Sequence, residues 1–395
     1  MVGLLLHAAC GEDGDATHKD PVTSGRVVMW AGSKRTLCTF WEWKYVKEVF
    51  QVRDQWIVPG QDPHKCLGGG AGGTGLFETT AAERIKDRAA LEITLPSRLF
   101  IAGGVGESAS EFSNNQAYLY DGPADSWRGM SMSVARSGHT VTPLLDGGAL
   151  IVGGREGGGT FDSLASVERF DPLAVAITTT GSLNTPRMNH AAALLADGRV
   201  LVTGGSHDTT PFASAEIYDP ATGLFAPTAD MAFVRTFHMA VTLEDGRVLI
   251  AGSNAIKPCE LFDSQTETFL PAGNMNVEHG YGATATLLES GKVLVAGGLD
   301  SSQGVFSTAA AELFDPATGQ FTRIADMNFA RRTHVAVLQG DGQVLIAGGI
   351  IDNGDTVETT ELFDPATNTF TPGPDQPLPA SEQAAVLIAG LEESP

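Results

Sequence analysis

A short apolar motif that recurs about every fifty residues limits the fold of this chain more than any other feature. Each copy is a run of apolar residues followed by one or two glycines, as in Val200-Leu-Val-Thr-Gly-Gly205. A fixed period of this length indicates one supersecondary unit that is copied along the chain. The first glycines are Gly103, Gly153, Gly204, Gly252, Gly297 and Gly348, which places successive copies 50, 51, 48, 45 and 51 residues apart.

Each copy predicts four short antiparallel strands. Asp197-Gly198 follows one first strand, and we expect a two-residue hairpin there because glycine accepts the positive φ of the primed turns. A third strand ends at Asp219, and a fourth begins six residues later at Phe225. The intervening Asp219-Pro-Ala-Thr-Gly223 is typical of a tight turn in which the aspartate bonds its own backbone and glycine is left-handed. Four such strands form one blade of a β-propeller.

The glycine pairs, the paired aromatic residues and their spacing resemble the kelch repeat. The Asp-Pro-Ala-Thr-Gly turns are most similar to those in the central domain of the galactose oxidase family. The resemblance covers nearly the whole chain after the N-terminal segment, and it implies an all-β propeller of four-stranded antiparallel blades. Kelch propellers serve as enzymes, sugar-binding proteins and protein scaffolds, so the resemblance implies no single activity.

We predict seven blades, because a seventh copy of the motif begins the chain. Residues 25–33 read like residues 246–253 with one residue inserted, but this copy lacks a first strand. Residues 381–388 align with a first strand that has nothing after it. Pairing this C-terminal strand with the N-terminal blade closes the ring and covers two exposed sheet edges. The alternative is six blades, with residues 20–85 forming a separate appendage.

The repeat also sets the domain boundaries. Residues 1–20 read as a signal-like or lipoprotein-like N-terminus and linker, and residues 21–395 as the kelch-type propeller, with a glycine-rich insertion at about 60–85. The glycine-rich run at 68–75 precedes no Gly-Lys-Ser/Thr sequence and has no βαβ context. We therefore interpret it as a linker rather than a phosphate-binding loop.

Charge and hydropathy exclude two classes of partner. The chain has 47 acidic and 25 basic residues, a formal net charge of −22. Nucleic-acid binding requires a basic surface that neutralises phosphates, so we expect no nucleic-acid partner. No apolar stretch reaches the roughly 18 residues that a membrane-spanning helix needs, so we expect no transmembrane span. We expect a monomer.

The first ten residues are similar to the end of a bacterial lipoprotein signal peptide. Two alanines precede Cys10, which such a peptide presents for lipidation, and the chain then becomes abruptly polar. We expect an exported protein of the cell envelope or the extracellular space, with Cys10 as a lipid anchor. The alternative is an ordinary N-terminus. Cys38, Cys66 and Cys259 remain, and Cys38 with Cys66 is the expected pair if one disulfide forms.

Charged residues also recur once per copy. First-strand histidines follow arginines by three residues, and glutamates precede the blade aspartates by three. We interpret the histidines as structural, because repeated polar residues usually satisfy nearby backbone groups. We expect the glutamates to pair with the arginines, since charges in a packed sheet need partners. The residues are Arg136, Arg187, Arg235 and Arg331; His139, His190, His238 and His334; and Glu168, Glu216, Glu260, Glu312 and Glu361.

The resemblance to galactose oxidase does not extend to the copper site of that family. The family's site uses a tyrosine cross-linked to cysteine, a tyrosine beside a histidine in a first strand, and a histidine from a further domain. Here Gly138 stands where the cross-linked tyrosine belongs, and no tyrosine precedes a first-strand histidine. We therefore expect no catalytic residue, no metal site and no cofactor.

The polar loops after the glycine pairs are the candidate binding elements. Loops that join equivalent strands of successive blades gather on one face of a propeller and form a composite surface. We predict a non-catalytic function, the binding of a protein or glycan at this face. The alternative is a carbohydrate-active or sugar-epimerising kelch enzyme. The candidate contacts are Arg155, His207, Asp208, Asp300 and Asp352.

Overall fold

All the regular structure that can be described in this chain is β-strand. Within the described residues, no helix is long and apolar enough to cross a membrane. The computed structural model describes residues 4–5, 27–29, 51–52, 55–56, 85–86, 89–93, 98–106, 113–121, 126–156, 162–253, 255–302, 306–339, 341–352, 355, 357, 359–373 and 387–388.

Most of the described strands form six four-stranded antiparallel sheets, numbered 1 to 6 in chain order. In each sheet the strands lie side by side in the order in which they occur along the chain. Sheet 1 contains β6 (Ala89–Ile93), β7 (Arg98–Ala102), β9 (Asn114–Asp121) and β10 (Ser126–Arg136). Sheet 2 contains β11 (Thr140–Pro143), β12 (Ala149–Val152), β13 (Val167–Asp171) and β14 (Ala176–Thr179). Sheet 3 contains β15 (Ala191–Leu194), β16 (Val200–Thr203), β19 (Ala215–Asp219) and β20 (Leu224–Pro227).

The second half of the chain repeats this arrangement three times. Sheet 4 contains β21 (Met239–Thr242), β22 (Val248–Ala251), β23 (Pro258–Asp263) and β24 (Thr268–Asn274). Sheet 5 contains β25 (Thr284–Leu287), β26 (Val293–Ala296), β29 (Ala311–Asp315) and β30 (Gln320–Arg323). Sheet 6 contains β31 (Val335–Leu338), β32 (Val344–Ala347), β33 (Glu361–Asp364) and β34 (Thr369–Pro372).

Other short strands of the described residues form two-stranded antiparallel ribbons. Two of them lie in the loops after the glycine pairs of sheets 3 and 5. The ribbons are β3 (Gln51–Val52) with β4 (Gln55–Trp56), β5 (Ile85–Lys86) with β8 (Val105–Gly106), β17 (Ser206–His207) with β18 (Thr210–Pro211), and β27 (Leu299–Asp300) with β28 (Phe306–Ser307).

The sheets pack face to face around a common centre. Their innermost strands contact one another in the order β6, β11, β15, β21, β25 and β31. The second strands are apolar and buried along their whole length in sheets 2 to 6, as expected of strands covered on both faces. Aromatic side chains fill the space between sheets; Phe100 of sheet 1 stacks on Phe170 of sheet 2 with ring centroids 4.4 Å apart. This succession of sheets is a β-propeller, which confirms the predicted fold class.

The two ends of the chain meet in a three-stranded sheet of β1 (Leu4–Leu5), β2 (Val27–Met29) and β35 (Leu387–Ile388). Leu387 pairs with Val28, and Ile388 with Val27, in antiparallel register. The expected pairing of a C-terminal strand with the N-terminal repeat is therefore present at these residues. The number of blades, seven or six, stays a prediction. Residues 381–386, Cys10, Cys38, Cys66 and residues 60–84 of the glycine-rich insertion lie outside the described residues.

The hairpins at the Asp-Gly pairs differ from the two-residue turns predicted from the sequence. The amide of Gly198 donates to the carbonyl of Leu195 over 2.9 Å, and the amide of Leu195 donates to Arg199 over 2.8 Å. Gly198 has a φ of 89°, whereas Asp197 does not have a positive φ. The connection is therefore a turn followed by a left-handed glycine, and it has three residues rather than two. The same pattern occurs at Gly147, Gly246, Gly291 and Gly342.

The turns between the third and fourth strands are as predicted. Asp219 accepts a hydrogen bond from the amide of Ala221 through its side chain and one from Gly223 through its carbonyl. Gly223 is left-handed, with a φ of 71°. Each turn also brings together the paired aromatic residues, such as Tyr218 and Phe225 with ring centroids 4.9 Å apart. These turns and the hairpins share one face of the propeller.

Candidate functional site

The opposite face carries the loops between second and third strands and the connections from each fourth strand to the next sheet; we call it the loop face. Backbone pairing joins these two kinds of segment. Ser137 pairs with Arg155, Met188 with Ser206, and Arg332 with Ile350, where the first member of each pair leads into a first strand. A binding surface on this face is thus built on backbone that is held by hydrogen bonds.

A row of residues with left-handed backbone conformation, that is with positive φ, lies where the first strands begin on this face. We call it the inner row. Asn189, Phe237 and Thr333 have φ values of 54°, 54° and 52°, and Gly138 and Gly282 have 61° and 80°. The amide of Asn189 donates to the carbonyl of Gly138 over 2.8 Å, Phe237 donates to Asn189 over 2.9 Å, and Thr333 donates to Gly282 over 2.8 Å. Left-handed backbone at non-glycine residues is uncommon and concentrates at functional sites.

The first-strand histidines lie directly behind the inner row and join neighbouring sheets. His139 Nε2 donates to the carbonyl of Ala102 in sheet 1 over 3.1 Å. His190 Nε2 lies 2.9 Å from Thr140 Oγ1, and the corresponding contacts are His238 with Thr203 (2.8 Å) and His334 with Thr284 (2.9 Å). These contacts confirm the structural interpretation of the histidines.

Burial keeps these histidines uncharged. It lowers the pKa of His139, His238 and His334 to about 3, and the positive charge of the neighbouring arginine acts in the same direction. The pKa of His190 is lowered well below its usual value for the same reasons. Neutral imidazoles of this kind are not poised for proton transfer near pH 7.

The repeated arginines, which precede the first strands of sheets 2, 3, 4 and 6, pair with the glutamates on the third strands of those sheets, as predicted. The Arg187 Nη2 atom lies 2.9 Å from Glu216 Oε1, and both side chains are almost fully buried. Arg187 Nη1 also donates to the carbonyl of Gly204, and Glu216 accepts from the amides of Asn184 and Thr185 in the connection from sheet 2. The equivalent pairs are Arg136–Glu168 (2.8 Å), Arg235–Glu260 (3.1 Å) and Arg331–Glu361 (2.8 Å). The terminal nitrogens of these arginines are hydrogen bonded, although the buried Nε atoms of Arg136, Arg187 and Arg331 have no hydrogen-bond partner among the described residues, and the pairs serve the scaffold.

Glu312 is the exception to this pairing, because sheet 5 has no arginine at the equivalent place. His279 fills the position: its Nδ1 lies 2.7 Å from the carbonyl of Gly297, and its Nε2 lies 3.4 Å from Glu312. Burial acts to raise the pKa of Glu312, but the neighbouring His279 and the hydrogen bonds accepted from the amides of Asn276 and Val277 outweigh it, so the pKa is lowered. Sheet 5 thus departs from the repeat while keeping its glutamate satisfied.

The five predicted contacts lie on the loop face, His207 and Asp208 in one loop and Arg155, Asp300 and Asp352 in three others. His207 and Asp208 are exposed in the β17–β18 ribbon, with Nε2 and Oδ2 3.8 Å apart. Arg155 Nε donates to the hydroxyl of Ser137 over 3.3 Å. Asp300 accepts from the amide of Ser302 over 2.9 Å.

Asp352 has a different role from the other four. It accepts from the amide of Ser307 over 2.5 Å and from Arg332 Nη1 over 3.4 Å, and Arg332 Nη1 also donates to the hydroxyl of Ser307 over 2.7 Å. The side chain therefore ties the loop of sheet 6 to the loop of sheet 5, which also holds Asp300.

Sequence reasoning missed an aromatic pair at the centre of the loop face. The rings of Phe237 and Tyr281 meet edge to face with centroids 4.8 Å apart. Phe237 belongs to the inner row and is 39% exposed, and Tyr281 is partly buried. The spacing of the repeat could have revealed this pair. Each first-strand histidine follows its arginine by three residues, whereas in sheet 5 the corresponding residues, His279 and Ala283, are four apart.

Cys259 lies in the core of sheet 4 as a free, buried thiol. Burial raises its pKa to about 12, so it is not a nucleophile at neutral pH. Among the described residues, no group of three or more histidine, cysteine, aspartate or glutamate side chains is placed to hold a metal ion.

Comparison with known proteins supports the kelch resemblance. Residues 187–232 and 331–377 match the Kelch motif. No curated protein sequence matches the chain significantly. A fungal alcohol oxidase of the AA5 family in complex with copper is similar in structure, with a TM-score of 0.61 and 20% identity over 75% of this chain and 66% of the oxidase, just under two thirds of its length. YjhT is similar with a TM-score of 0.58 and 14% identity over 74% of this chain and 98% of that protein. The chain is a β-propeller that contains Kelch motifs.

The residues of the inner row do not fit the copper centre of the galactose oxidase type. Gly138, Asn189, Phe237 and Thr333 precede the first-strand histidines, so a phenol oxygen is not available at these places. The Nε2 atoms of the histidines behind them contact neighbouring sheets. No reaction step through copper follows from this arrangement.

Proposed function

We propose that this protein is a non-catalytic recognition propeller that binds a protein or glycan through its loop face. One observation carries the proposal: the inner row fixes side chains of different chemistry around the centre of that face by backbone hydrogen bonds between sheets. A rigid backbone that displays an amide, an aromatic ring and a hydroxyl is preorganised for binding, because little conformational entropy is lost when a ligand arrives.

The titratable residues of the repeat support a binding role over the enzyme alternative. The arginine–glutamate pairs are buried and hydrogen bonded, and burial holds the histidines in the neutral form. Each group that the repeat supplies for acid–base chemistry therefore serves the scaffold. Arg155, His207, Asp208, Asp300 and Asp352 are the outer contacts that we propose, around the inner row.

The test is a screen of the full chain against a glycan array and an extracellular protein library. We expect a ligand that binds the wild-type protein and is lost from a variant with Arg155→Ala, His207→Ala and Asp300→Ala. Leu173→Ala is the matched control, because Leu173 is 90% exposed on the opposite face. Mass spectrometry of the recovered ligand follows. A chemically altered ligand would establish the enzyme alternative, and equal loss in the Leu173→Ala variant would place the site elsewhere.

We further propose that the protein is an exported monomer, anchored in the cell envelope by a lipid on Cys10. The Leu-Leu-Leu-His-Ala-Ala sequence before Cys10 supports the proposal. Signal cleavage before Cys10 removes Leu4–Leu5, which pairs with Val28 and Met29. Mass spectrometry of the purified N-terminus therefore decides between a diacylglyceryl cysteine and an intact Met1, and light scattering of the same sample measures the oligomeric state.

A further inference from the structure

Sheet 5 breaks the repeat beside the centre of the loop face. His279 occupies the place that the repeated arginine occupies in other sheets. A Cβ atom added to Gly252 would lie 2.6 Å from the carbonyl oxygen of His279, just as one added to the equivalent Gly204 would lie 2.5 Å from that of Arg235. Gly282 is equivalent to Gly138, since each accepts a hydrogen bond from the inner row of the next sheet. Two residues, Gly280 and Tyr281, therefore stand between His279 and the inner row, where the other sheets have one.

The extra residue brings an aromatic side chain beside the inner row. Tyr281 meets Phe237 of sheet 4 edge to face, with ring centroids 4.8 Å apart. The backbone of Phe237 is held by its hydrogen bond to Asn189, and that of Gly282 by its hydrogen bond from Thr333. In a repeat protein, a local departure that gives up a buried arginine without an evident gain in stability indicates a functional position.

The loop of sheet 4, which lies beside this pair, is short. Residues 252–257 connect β22 to β23, whereas the corresponding loops of sheets 3 and 5 are residues 204–214 and 297–310. Ser253 replaces the second glycine of the motif and holds a φ of 113°, a region that side chains rarely adopt. The loop of sheet 4 is therefore shorter than both of its neighbours, and Phe237 beside it is 39% exposed.

The inner-row neighbours of the aromatic pair carry neutral hydrogen-bonding groups. Asn189 and Thr333 flank it in the inner row. The arginines of the same face are engaged elsewhere, Arg332 with Asp352 and Ser307, and Arg155 with Ser137. The net charge of −22 repels anionic ligands. Aromatic rings bind the apolar faces of sugar rings, while amides and hydroxyls bind their hydroxyl groups.

We infer that Phe237 and Tyr281 form a subsite for a neutral sugar ring, on the side of the loop face where the loop of sheet 4 is short. This inference rests on the proposed recognition function and assigns it a ligand class, neutral glycans. The sugar packs against the aromatic pair. The side chain of Asn189 binds its hydroxyl groups, and the Thr333 hydroxyl oxygen accepts from them, since its own proton is donated to the carbonyl of Arg332.

The test measures binding of the full chain to neutral oligosaccharides of glucose, galactose, mannose and xylose by calorimetry. Polygalacturonate serves as the anionic probe, and a library of neutral peptides as the protein-like probe. We expect Phe237→Ala and Tyr281→Ala each to weaken binding of a neutral oligosaccharide by about tenfold or more, because central aromatic residues dominate such sites. Tyr281→Phe keeps the ring and retains most of the binding. The control is Phe329→Ala, since Phe329 is 48% exposed on the same face in another connection.

The outcomes separate this inference from the recognition function itself. Circular dichroism and urea midpoints equal to wild type show that a variant is folded. Binding of a neutral sugar that survives both Phe237→Ala and Tyr281→Ala, or that is lost with Phe329→Ala instead, overturns the subsite and leaves the recognition function standing. Binding of peptides or polygalacturonate but not of neutral sugars overturns the ligand class. A wild-type protein that binds none of these probes and nothing in the wider screen overturns both proposals.

Discussion

The guanidinium of Arg187 lies 2.9 Å from the carboxylate of Glu216, and the two side chains are almost fully buried in sheet 3. Glu216 accepts four hydrogen bonds in all, from Arg187, from the backbone and side-chain amides of Asn184, and from the backbone amide of Thr185. A carboxylate with this many donors fastens the connection from sheet 2 to the third strand of sheet 3. The same arrangement recurs at Glu361, so the stability of the propeller depends on these pairs.

Glu216→Gln is expected to destabilise the protein by about 3 kcal/mol or more, because the amide –NH₂ faces hydrogen-bond donors and Arg187 becomes an unpaired buried charge. Urea unfolding followed by circular dichroism measures the change. Glu267→Gln is the matched control: it breaks the partly exposed pair with Arg199 and is expected to cost less than about 1 kcal/mol. Equal effects of the two substitutions would contradict the structural role assigned to the buried pair.

The buried histidines predict loss of stability in acid. Their folded pKa is lowered, to about 3 for His238, below the unfolded value of 6.5. The unfolded chain therefore binds more protons between those two values, and the free energy of unfolding falls as the pH drops from 6.5 towards 3. Each such histidine contributes up to about 1.4 kcal/mol per pH unit within that window.

His238→Gln isolates this contribution. We expect the slope of unfolding free energy against pH to be shallower in the variant by about one proton, when urea titrations are run between pH 6.5 and pH 4. His207→Gln is the control, because the His207 side chain is largely exposed. A slope that is the same in wild type and His238→Gln would show that His238 is not buried neutral.

Glycine is required at the first position of each pair for two reasons: the backbone has a positive φ, and a Cβ atom would clash with neighbouring atoms. Gly297 and Gly319 have nearly the same φ, 64° and 67°, but a Cβ on Gly297 would lie 2.5 Å from both Arg331 O and His334 Cε1, whereas one on Gly319 would meet nothing within 4 Å. We expect Gly319→Ala to cost about 1 kcal/mol from left-handed strain alone. Gly297→Ala is expected to cost at least about 2 kcal/mol more, from the clash. Thermal and urea unfolding measure both, and similar losses would refute close packing at Gly297.

Pairing of the chain ends predicts a sharp boundary for C-terminal truncation. Removal of residues 389–395 leaves Leu387 and Ile388 paired with Val28 and Val27, so we expect little change in the unfolding midpoint. Removal of residues 387–395 takes away that pairing and exposes an edge, so we expect a lower midpoint and concentration-dependent aggregation. Calorimetry and light scattering compare the two truncations. Identical behaviour would show that the pairing contributes nothing to stability.

Repetition explains how much of this molecule was predictable. The glycine spacing located the buried second strands of all six sheets, and the recurring charges predicted pairs such as Arg331 with Glu361. Each of these interactions lies within one unit or between adjacent units, so the local pattern contains it. The hairpin type was mispredicted because Asp-Gly is compatible with two turns, and the placement of Leu195 and Arg199 opposite each other selects the longer one.

The amino-acid sequence by itself determined the four-stranded unit, its copying around a propeller and the use of arginine, glutamate and histidine as its internal ties, because alternation and turn chemistry act over a few residues. Only the tertiary structure decided which side chains share the centre of the loop face. Phe237 and Tyr281 lie in different sheets, and their contact depends on the angle between those sheets, on one extra residue after His279 and on a short neighbouring loop. Packing of whole sheets sets that geometry, and no local pattern of residues expresses it.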